Sequence, residues 1–178
     1  MHQKQFEQFY EQYSDAIYKY ILFLVGNKET AEDLTQETFF RAYKQFDTFK
    51  EQASFQTWLR KIARNLVYDH YRRKRIIHFI PFLSQHEQQD TQLLPSEIVE
   101  KGEAMVAVYR ALSKLKLEYK EVIILRKIED FPIKETAKLL GWTEVKVKNA
   151  TARAMQSLKK ELEEGGELHA EGFRSIIK

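Results

Sequence analysis

Residues 133–153, IKETAKLLGWTEVKVKNATAR, have the pattern of two short helices joined by a tight turn. Apolar residues recur at helical spacing from Ile133 to Leu140, after a proline that stands where a helix begins without losing a hydrogen bond. Gly141 is suited to end the first helix, and the hydroxyl of Thr143 is suited to cap the second. The stretch therefore predicts a helix-turn-helix.

The second predicted helix carries donors on its outward side. Val147 and Ala150 are expected to turn inward by their spacing. The residues expected to face outward are Lys146, Lys148, Asn149 and Arg153. Donors to phosphates and base edges, with no carboxylate after Glu144 in this stretch, suit the major groove of DNA. From this segment alone, an ordinary helical hairpin with a solvated basic face is the alternative.

Length and composition narrow the class of protein. A chain of 178 residues holds one domain or two small ones. The absence of cysteine excludes disulfides and thiolate metal sites and is typical of a reducing cytosol. No apolar run approaches the roughly 20 residues that span a membrane, and the polar and aromatic N-terminus is unlike a signal peptide. A cytoplasmic protein is expected.

The net charge of +3 is uninformative, but the charges are unevenly distributed. Residues 60–75 contain seven Lys or Arg and one acid, and residues 146–160 contain five basic residues and no acid. Residues 82–100 lie between them with four acids and no Lys or Arg. Two basic helical segments and an acidic connector indicate two separate contacts with a polyanion.

The rest of the chain predicts further helices. Apolar residues step at three and four in residues 6–24, and amphipathic helices are expected from about Thr30 and from Phe55. In the latter, aromatic residues beside cations fit either a buried core or a stacking platform for single-stranded DNA. The VIIL run at 122–125 is compatible with a strand, but its flanks favour a helix.

Taken in order, the segments AEDLTQETFFRAY, SFQTWLRKIARNLVYDHYRRKR and LEYKEVIILRKIEDFPIKETAKLLGWTEVKVKN resemble an extracytoplasmic-function (ECF) sigma factor. These are small bacterial sigma-70 relatives that keep only regions 2 and 4. The resemblance implies an all-α fold with two small helical domains, a region 2 bundle and a region 4 helix-turn-helix, joined by a flexible acidic linker. The expected boundaries are region 2 at 1–78, the linker at 79–104, region 4 at 105–162 and a frayed tail at 163–178.

The resemblance implies that 31–43 matches region 2.2, which in the family docks on the clamp helices of core RNA polymerase. The polar residues implied for that contact are Asp33, Gln36, Glu37 and Arg41. A solvated surface is the alternative explanation of these side chains.

Residues 47–64 match the loop and helix that read and open the minus-ten element in the family. A base read on its pairing edge must leave the stack. The implied base-contacting residues are Ser54, Gln56 and Thr57, and the implied phosphate contacts are Arg60, Lys61 and Arg64. Trp58 is a wedge or a packing residue, and packing is favoured. The implied contacts at the duplex edge are Arg72, Arg73, Lys74 and Arg75.

Residues 119–160 match region 4, whose second helix enters the major groove at the minus-thirty-five element. The family pattern approximates G-T-V-K-S-R-x-x-R-A-R; here Val147, Lys148 and Arg153 agree with it, whereas Ala150 and Met155 replace basic residues. The implied DNA-contacting residues are Thr143, Lys146, Lys148, Asn149 and Arg153. Asn149 and Lys146 are assigned to bases, and Arg153 to phosphate.

The implied partners are core RNA polymerase, promoter DNA and a membrane-anchored anti-sigma factor, with no small-molecule substrate. The acidic linker either mimics a nucleic-acid backbone in the polymerase channels or is a plain polar tether. No cofactor or metal is expected, because the histidines lack metal-ligand spacing and no Gly-rich phosphate loop is present. The other classes considered are a helix-turn-helix regulator that binds duplex DNA unaided and a purely protein-binding helical module.

Overall fold

The computed structural model describes residues 2–49, 54–78, 96–100 and 102–165. The chain divides into two compact units, residues 1–93 and 94–178. The described part of the first unit consists of α1 (His2–Val25), α2 (Lys28–Gln45), a 3₁₀ turn (Phe46–Thr48) and α3 (Phe55–His78). The prediction of two helical domains is confirmed.

The first unit is a bundle in which each of the three long helices packs on the other two. The turn between α1 and α2 uses Gly26 in the left-handed region (φ 75°) and Asn27, whose Oδ1 accepts a 2.8 Å hydrogen bond from the Thr30 N–H. The buried side chains at the centre of the bundle are Ile17, Tyr20, Ile21, Leu24, Ala31, Thr38, Ala42, Leu59, Ala63, Leu66 and Val67. Their three- and four-residue spacing explains why each helix turns the same face inward.

Aromatic rings cluster around the start of α3 in this bundle. Phe9 of α1 stacks on Phe55 of α3 with ring centroids 4.2 Å apart and an interplanar angle of 18°. Trp58 packs against Phe55 at 5.4 Å and against Phe49 at 5.0 Å. Such ring pairs add to the stabilisation from buried area, so they hold Phe49 beside the first turn of α3.

The second unit contains α4 (Ser96–Val99), α5 (Glu103–Lys114), α6 (Leu117–Ile123), a π-helical turn (Ile124–Ile128), α7 (Ile133–Leu140) and α8 (Glu144–Glu164). Helix α8 is the centre of this unit, because α5, α6 and α7 all pack on it. Its buried stripe consists of Val147, Ala154, Leu158 and Leu162. The VIIL run is helical, as its flanks predict: it ends α6 and begins the π-helical turn.

The π-helical turn leads into the helix-turn-helix through a sharp bend. Asp130 adopts the left-handed region (φ 52°), which an Asp tolerates better than a branched residue. The N–H of Phe131 donates to the Leu125 carbonyl at 2.8 Å, and the Arg126 guanidinium donates to the Phe131 carbonyl. These bonds fix the direction in which α7 begins.

Some element boundaries differ from those predicted. Residues 96–99, assigned to the linker, form α4, which packs on α5 and buries Ile98, and α5 begins at Glu103 rather than at 105. An apolar contact explains this order at the end of the predicted linker. Helix α8 continues to Glu164, two residues into the predicted tail. Residues 79–95 and 166–178, which hold the rest of the linker and tail, lie outside the described residues.

Within the ranges that the structure describes, none of the helices combines the length and apolarity needed to cross a membrane.

Candidate nucleic-acid interface

The turn of the helix-turn-helix is built from the residues that the sequence indicated. Gly141 adopts the left-handed region (φ 67°), and the N–H of Trp142 donates to the Ala137 carbonyl at 2.9 Å. The Thr143 Oγ1 accepts a 3.1 Å hydrogen bond from the Lys146 N–H at the start of α8. The predicted helix-turn-helix is confirmed, and Thr143 serves as its N-cap.

Burial of Val147 fixes the rotation of α8, since this side chain is fully enclosed by the unit. The residues predicted to contact the minus-thirty-five element all lie on the exposed side, at Thr143, Lys146, Lys148, Asn149 and Arg153. At about 100° per residue, Asn149 points almost directly away from Val147, with Lys148 on one flank and Arg153 on the other. An amide at the centre and cations at both edges is an arrangement suited to a base edge between two phosphate backbones.

Lys146 differs from its neighbours because its ammonium lies over the indole of Trp142, 4.1 Å from the ring centroid. A cation–π contact of this kind holds the side chain against the turn. The structure therefore directs Lys146 along the flank of α8, whereas Asn149 projects outward.

Arg60 of α3 lies inside the first unit. It is 1% exposed, and its guanidinium lies over the Tyr20 ring at 5.9 Å from the centroid. The structure contradicts the prediction that Arg60 holds a DNA phosphate, because the three-helix core encloses the whole side chain. Sequence reasoning assigned it to the surface by its charge, although its spacing to Leu59 and Ala63 placed it beside the buried stripe.

Ser54 and Thr57 form hydrogen bonds at the N-terminus of α3. Their hydroxyl oxygens are 2.9 Å apart, and the Ser54 Oγ accepts a 3.2 Å hydrogen bond from the Thr57 N–H. Thr57 is 4% exposed, which contradicts the prediction that it contacts a base. Ser54 itself is exposed, and Gln56 and Trp58 are partly exposed.

A basic and aromatic surface runs along the outside of α3. Lys61, Asn65, Tyr68 and Arg72 follow one another at four, three and four residues, which places them on one side of the helix. The Arg64 guanidinium stacks over the Tyr68 ring at 4.3 Å from its centroid. The sequence reasoning missed Asn65 and Tyr68, which the i, i+4 spacing from Lys61 and Arg64 could have revealed.

At the end of this surface the cations are partly engaged by their own helix. Arg72 pairs with Asp69 at 3.0 Å, and the Arg73 Nε donates to the Asp69 carbonyl at 3.4 Å. Arg72, Arg73 and Lys74 are exposed, and the side chain of Arg75 lies outside the described residues.

The exposed face of α2 carries the residues predicted to bind core polymerase. Asp33, Gln36 and Arg41 are exposed and Glu37 is partly so. The Arg41 Nε donates to Glu37 at 2.7 Å, so these two charges largely balance each other. Phe40 lies on the same side of α2 as Asp33 and Glu37. It is 53% exposed, with the Lys44 ammonium 4.2 Å from its ring centroid. The sequence reasoning missed Phe40 because an aromatic on an amphipathic helix is usually buried.

Comparison with known proteins places both units in one family. Residues 9–76 match the family model of sigma-70 region 2, and residues 105–158 match that of sigma-70 region 4. The ECF RNA polymerase sigma factor SigX of Bacillus subtilis (strain 168) is 35% identical over 89% of this chain and 84% of its own length. The RNA polymerase sigma factor YlaC of the same organism is 32% identical over 90% of this chain and 94% of its own length.

Among solved structures, this chain is similar to the sigma factor RpoE of Bartonella quintana, crystallised with the anti-sigma factor NepR. The TM-score is 0.71 at 24% identity, over 90% of this chain and 98% of that one, which supports the fold. The chain belongs to the ECF sigma factors of the sigma-70 family. Sigma factors are specificity subunits of RNA polymerase, and their regions 2 and 4 mediate promoter recognition and initiation.

Proposed function

We propose that this chain binds core RNA polymerase through α2, reads a minus-thirty-five element with α8 and holds the opened minus-ten strand along α3. The observation that carries the proposal is the exposed side of α8 over residues 145–160, which carries no acid and follows a capped turn, in a chain that also matches region 2. Such a surface can contact base edges and phosphates, because it has no carboxylate that would repel the DNA backbone. The reaction chemistry then belongs to the core enzyme.

Within α8, Asn149 reads a base and Arg153 holds a phosphate. The two side chains are four residues apart, so they share one side of the helix but differ in direction by about 40°. Asn pairs bidentately with adenine in the major groove. Arg153 lies toward the edge, where the backbone passes, and supplies charge that does not depend on sequence.

The surface of α3 fits a single strand better than a duplex. A ring at Tyr68, backed by Arg64, offers a face on which an unpaired base stacks. Lys61 and Arg72 lie on the same side and supply backbone charge, while Asn65 adds donors and an acceptor between them. Ser54, Gln56 and Trp58 remain the candidates at the loop, where an extruded base would be held.

The α2 face combines an exposed ring with surrounding charges, which is the composition of an interaction hot spot. Burial of Phe40 by a partner helix would remove its apolar surface from water, and Asp33 and Gln36 would set the orientation. We assign this face, including Phe40, to the contact with core polymerase.

An anti-sigma factor is proposed as a further partner, because the RpoE chain that shares this fold was solved with one. The acidic linker is proposed to follow the nucleic-acid channel of the polymerase, where carboxylates resemble a phosphate backbone. A cytoplasmic location is proposed as well, because core polymerase and promoter DNA, the proposed partners, are found there.

In vitro transcription with core polymerase tests the proposed function. Core enzyme with this protein should start at defined genomic sites, and core enzyme alone should not. An unaided helix-turn-helix regulator would instead shift duplex DNA without core enzyme, and a protein-binding module would bind core enzyme without fixing a start site. Either of those results would refute the proposal.

A double variant of α8 provides the residue-level test. Asn149→Ala with Arg153→Ala should abolish defined starts while leaving core binding intact. Lys159→Ala with Lys160→Ala is the matched control, because these cations lie near the far end of α8 and pair with Glu163 (3.5 Å) and Glu164 (3.6 Å). The control should keep the same start sites.

A further inference from the structure

Val145 is an exposed apolar side chain at the start of α8. It is 66% exposed, more than the other large hydrophobic side chains that the structure leaves on the surface of the described residues. It follows the N-cap Thr143 by two residues and so lies in the first turn of the helix. Its isopropyl group takes no part in the core, which α8 enters through Val147 instead.

The rotation of α8 places Val145 beside the base-reading amide. Val145 and Asn149 are one turn apart, about 40° from each other around the helix, and both point away from Val147. Ala152 lies on the same side and is exposed, so its methyl group lets the helix approach a groove closely. In helix-turn-helix proteins the N-terminal residues of the second helix contact base edges.

Lys146 does not occupy the outward side of α8 beside Asn149, whereas Val145 does. Its ammonium is held 4.1 Å from the centroid of the Trp142 ring, on the flank of the helix. The expectation that Lys146 and Asn149 together contact bases is therefore replaced by a pair in which Asn149 and Val145 lie closest to the groove floor.

A valine has no hydrogen-bonding group, so it can discriminate bases only by apolar contact. In the major groove thymine alone presents a methyl group, and adenine presents the donor and acceptor that pair with Asn. One helical turn raises the chain by about 5.4 Å, against about 3.4 Å between successive bases. The two side chains thus reach neighbouring or next-neighbouring base pairs.

We propose that Val145 is a specificity-determining residue that reads a thymine methyl group within two base pairs of the adenine read by Asn149. The inference rests on the proposed function and specifies the DNA that region 4 selects.

Replacement of single thymines by deoxyuridine isolates the methyl group without changing base pairing. The preferred minus-thirty-five sequence is first selected from a randomised pool with wild-type holoenzyme. Each thymine in it is then replaced in turn, and holoenzyme affinity is measured at fixed salt. With wild type, one replacement should weaken binding about fourfold, the effect of one buried methyl-sized group.

Val145→Ala should bind the unmodified promoter about fourfold more weakly and should no longer distinguish thymine from deoxyuridine at that position. Val145→Ile, which retains the branched apolar surface, should restore the distinction. Alanine has a higher helix propensity than valine, so loss of α8 does not explain the result. Val99→Ala is the matched control, because Val99 is the 51% exposed valine of α4.

Two outcomes overturn the inference: no thymine responds to deoxyuridine with wild type, or Val145→Ala responds at the same position as strongly as wild type. Selection that returns no minus-thirty-five preference at all is a separate result, since it refutes the proposed role of region 4 and the inference with it. A sequence preference without methyl sensitivity refutes the inference alone.

Discussion

The two units use their basic residues differently. In the first unit Arg60 is enclosed by the core, Arg64 lies on Tyr68, and Arg72 pairs with Asp69 at 3.0 Å. In the second unit Lys148 and Arg153 stand exposed on either side of Asn149. The first arrangement builds a stiff aromatic and basic surface that suits an unpaired strand. The second arrangement suits the preformed major groove of a DNA duplex. In both units, the rotation of each helix against its core decides which basic side chains are exposed to bind DNA.

Arg60→Ala tests most directly whether Arg60 belongs to the core of the first unit. Removal of a long buried side chain leaves a cavity and loses its packing, so the free energy of unfolding of the first unit should fall by about 3 kcal/mol. The chain has two tryptophans, at 58 and 142, so in a Trp142→Phe background Trp58 fluorescence reports urea unfolding of this unit.

Lys61→Ala is the control for Arg60, because it removes an exposed cation one residue away. Its unfolding free energy should change by less than about 0.5 kcal/mol, while the salt dependence of promoter binding should decrease. If Arg60→Ala behaves in the same way, Arg60 contacts phosphate and the core assignment is wrong.

Phe40→Ala should weaken binding to core polymerase about thirtyfold, or about 2 kcal/mol, if the exposed ring is the centre of that contact. Titration of labelled protein with core enzyme measures the change. Tyr10→Ala removes an aromatic of similar exposure (48%, against 53% for Phe40) from α1 and should bind nearly as wild type. If both variants lose the same affinity for core polymerase, Phe40 is not the centre of that contact.

Asn149→Ala and Arg153→Ala distinguish base recognition from phosphate binding on α8. Asn149→Ala should cost about 2 kcal/mol on the preferred promoter and relax the preference at one or two bases. Arg153→Ala should weaken all promoters to a similar degree and lower the salt slope by about 1. Transcription from a set of promoter variants makes the distinction, and a uniform loss with Asn149→Ala would reverse the assignment.

Reversal of charge on α2 sharpens the role of the polar rim around Phe40. Asp33→Lys with Glu37→Lys together should weaken core binding by about 1 kcal/mol at low salt. The loss should shrink as salt rises, unlike that of Phe40→Ala. Because Glu37 already pairs with Arg41 at 2.7 Å, Asp33→Lys alone should produce most of the effect. Unchanged affinity in the double variant would contradict docking through this face.

Tyr71→Phe should have the smallest effect, about 1 kcal/mol on the first unit at neutral pH. It removes the 2.9 Å hydrogen bond that the Tyr71 hydroxyl donates to the Leu24 carbonyl. Burial raises the pKa of Tyr71, so the folded state keeps the phenol proton to higher pH than the unfolded state. The hydroxyl's stabilisation should be complete below about pH 10 and should be lost as pH rises through the raised pKa.

Urea unfolding at pH 7 to 11, followed by Trp58 fluorescence, compares Tyr71→Phe with wild type. The difference in unfolding free energy should decline above about pH 10. A difference that stays constant across this range would mean that Tyr71 does not titrate with folding.

The sequence by itself determined most of the helices and the turn of the helix-turn-helix. Helical spacing predicted α1, α2, α3 and the inward position of Val147 on α8, because an apolar face must repeat every three or four residues to be buried. Ala150, predicted to turn inward as well, is only partly buried. Gly141 and Thr143 marked the turn, since a left-handed C-cap and a hydroxyl N-cap are local requirements. The candidate site on α8 followed from these local features together with the absence of acids.

Only the tertiary structure decided which side chains beside those stripes are accessible. Arg60 and Lys61 are neighbours of the same charge, yet the packing of α1 on α3 encloses the first and leaves the second exposed. Lys146 lies on Trp142, while Phe40 and Val145 remain on the surface. Burial depends on the exact rotation of a helix against its neighbours. A rotation of a few tens of degrees cannot be predicted from the residue types and spacing of that helix alone.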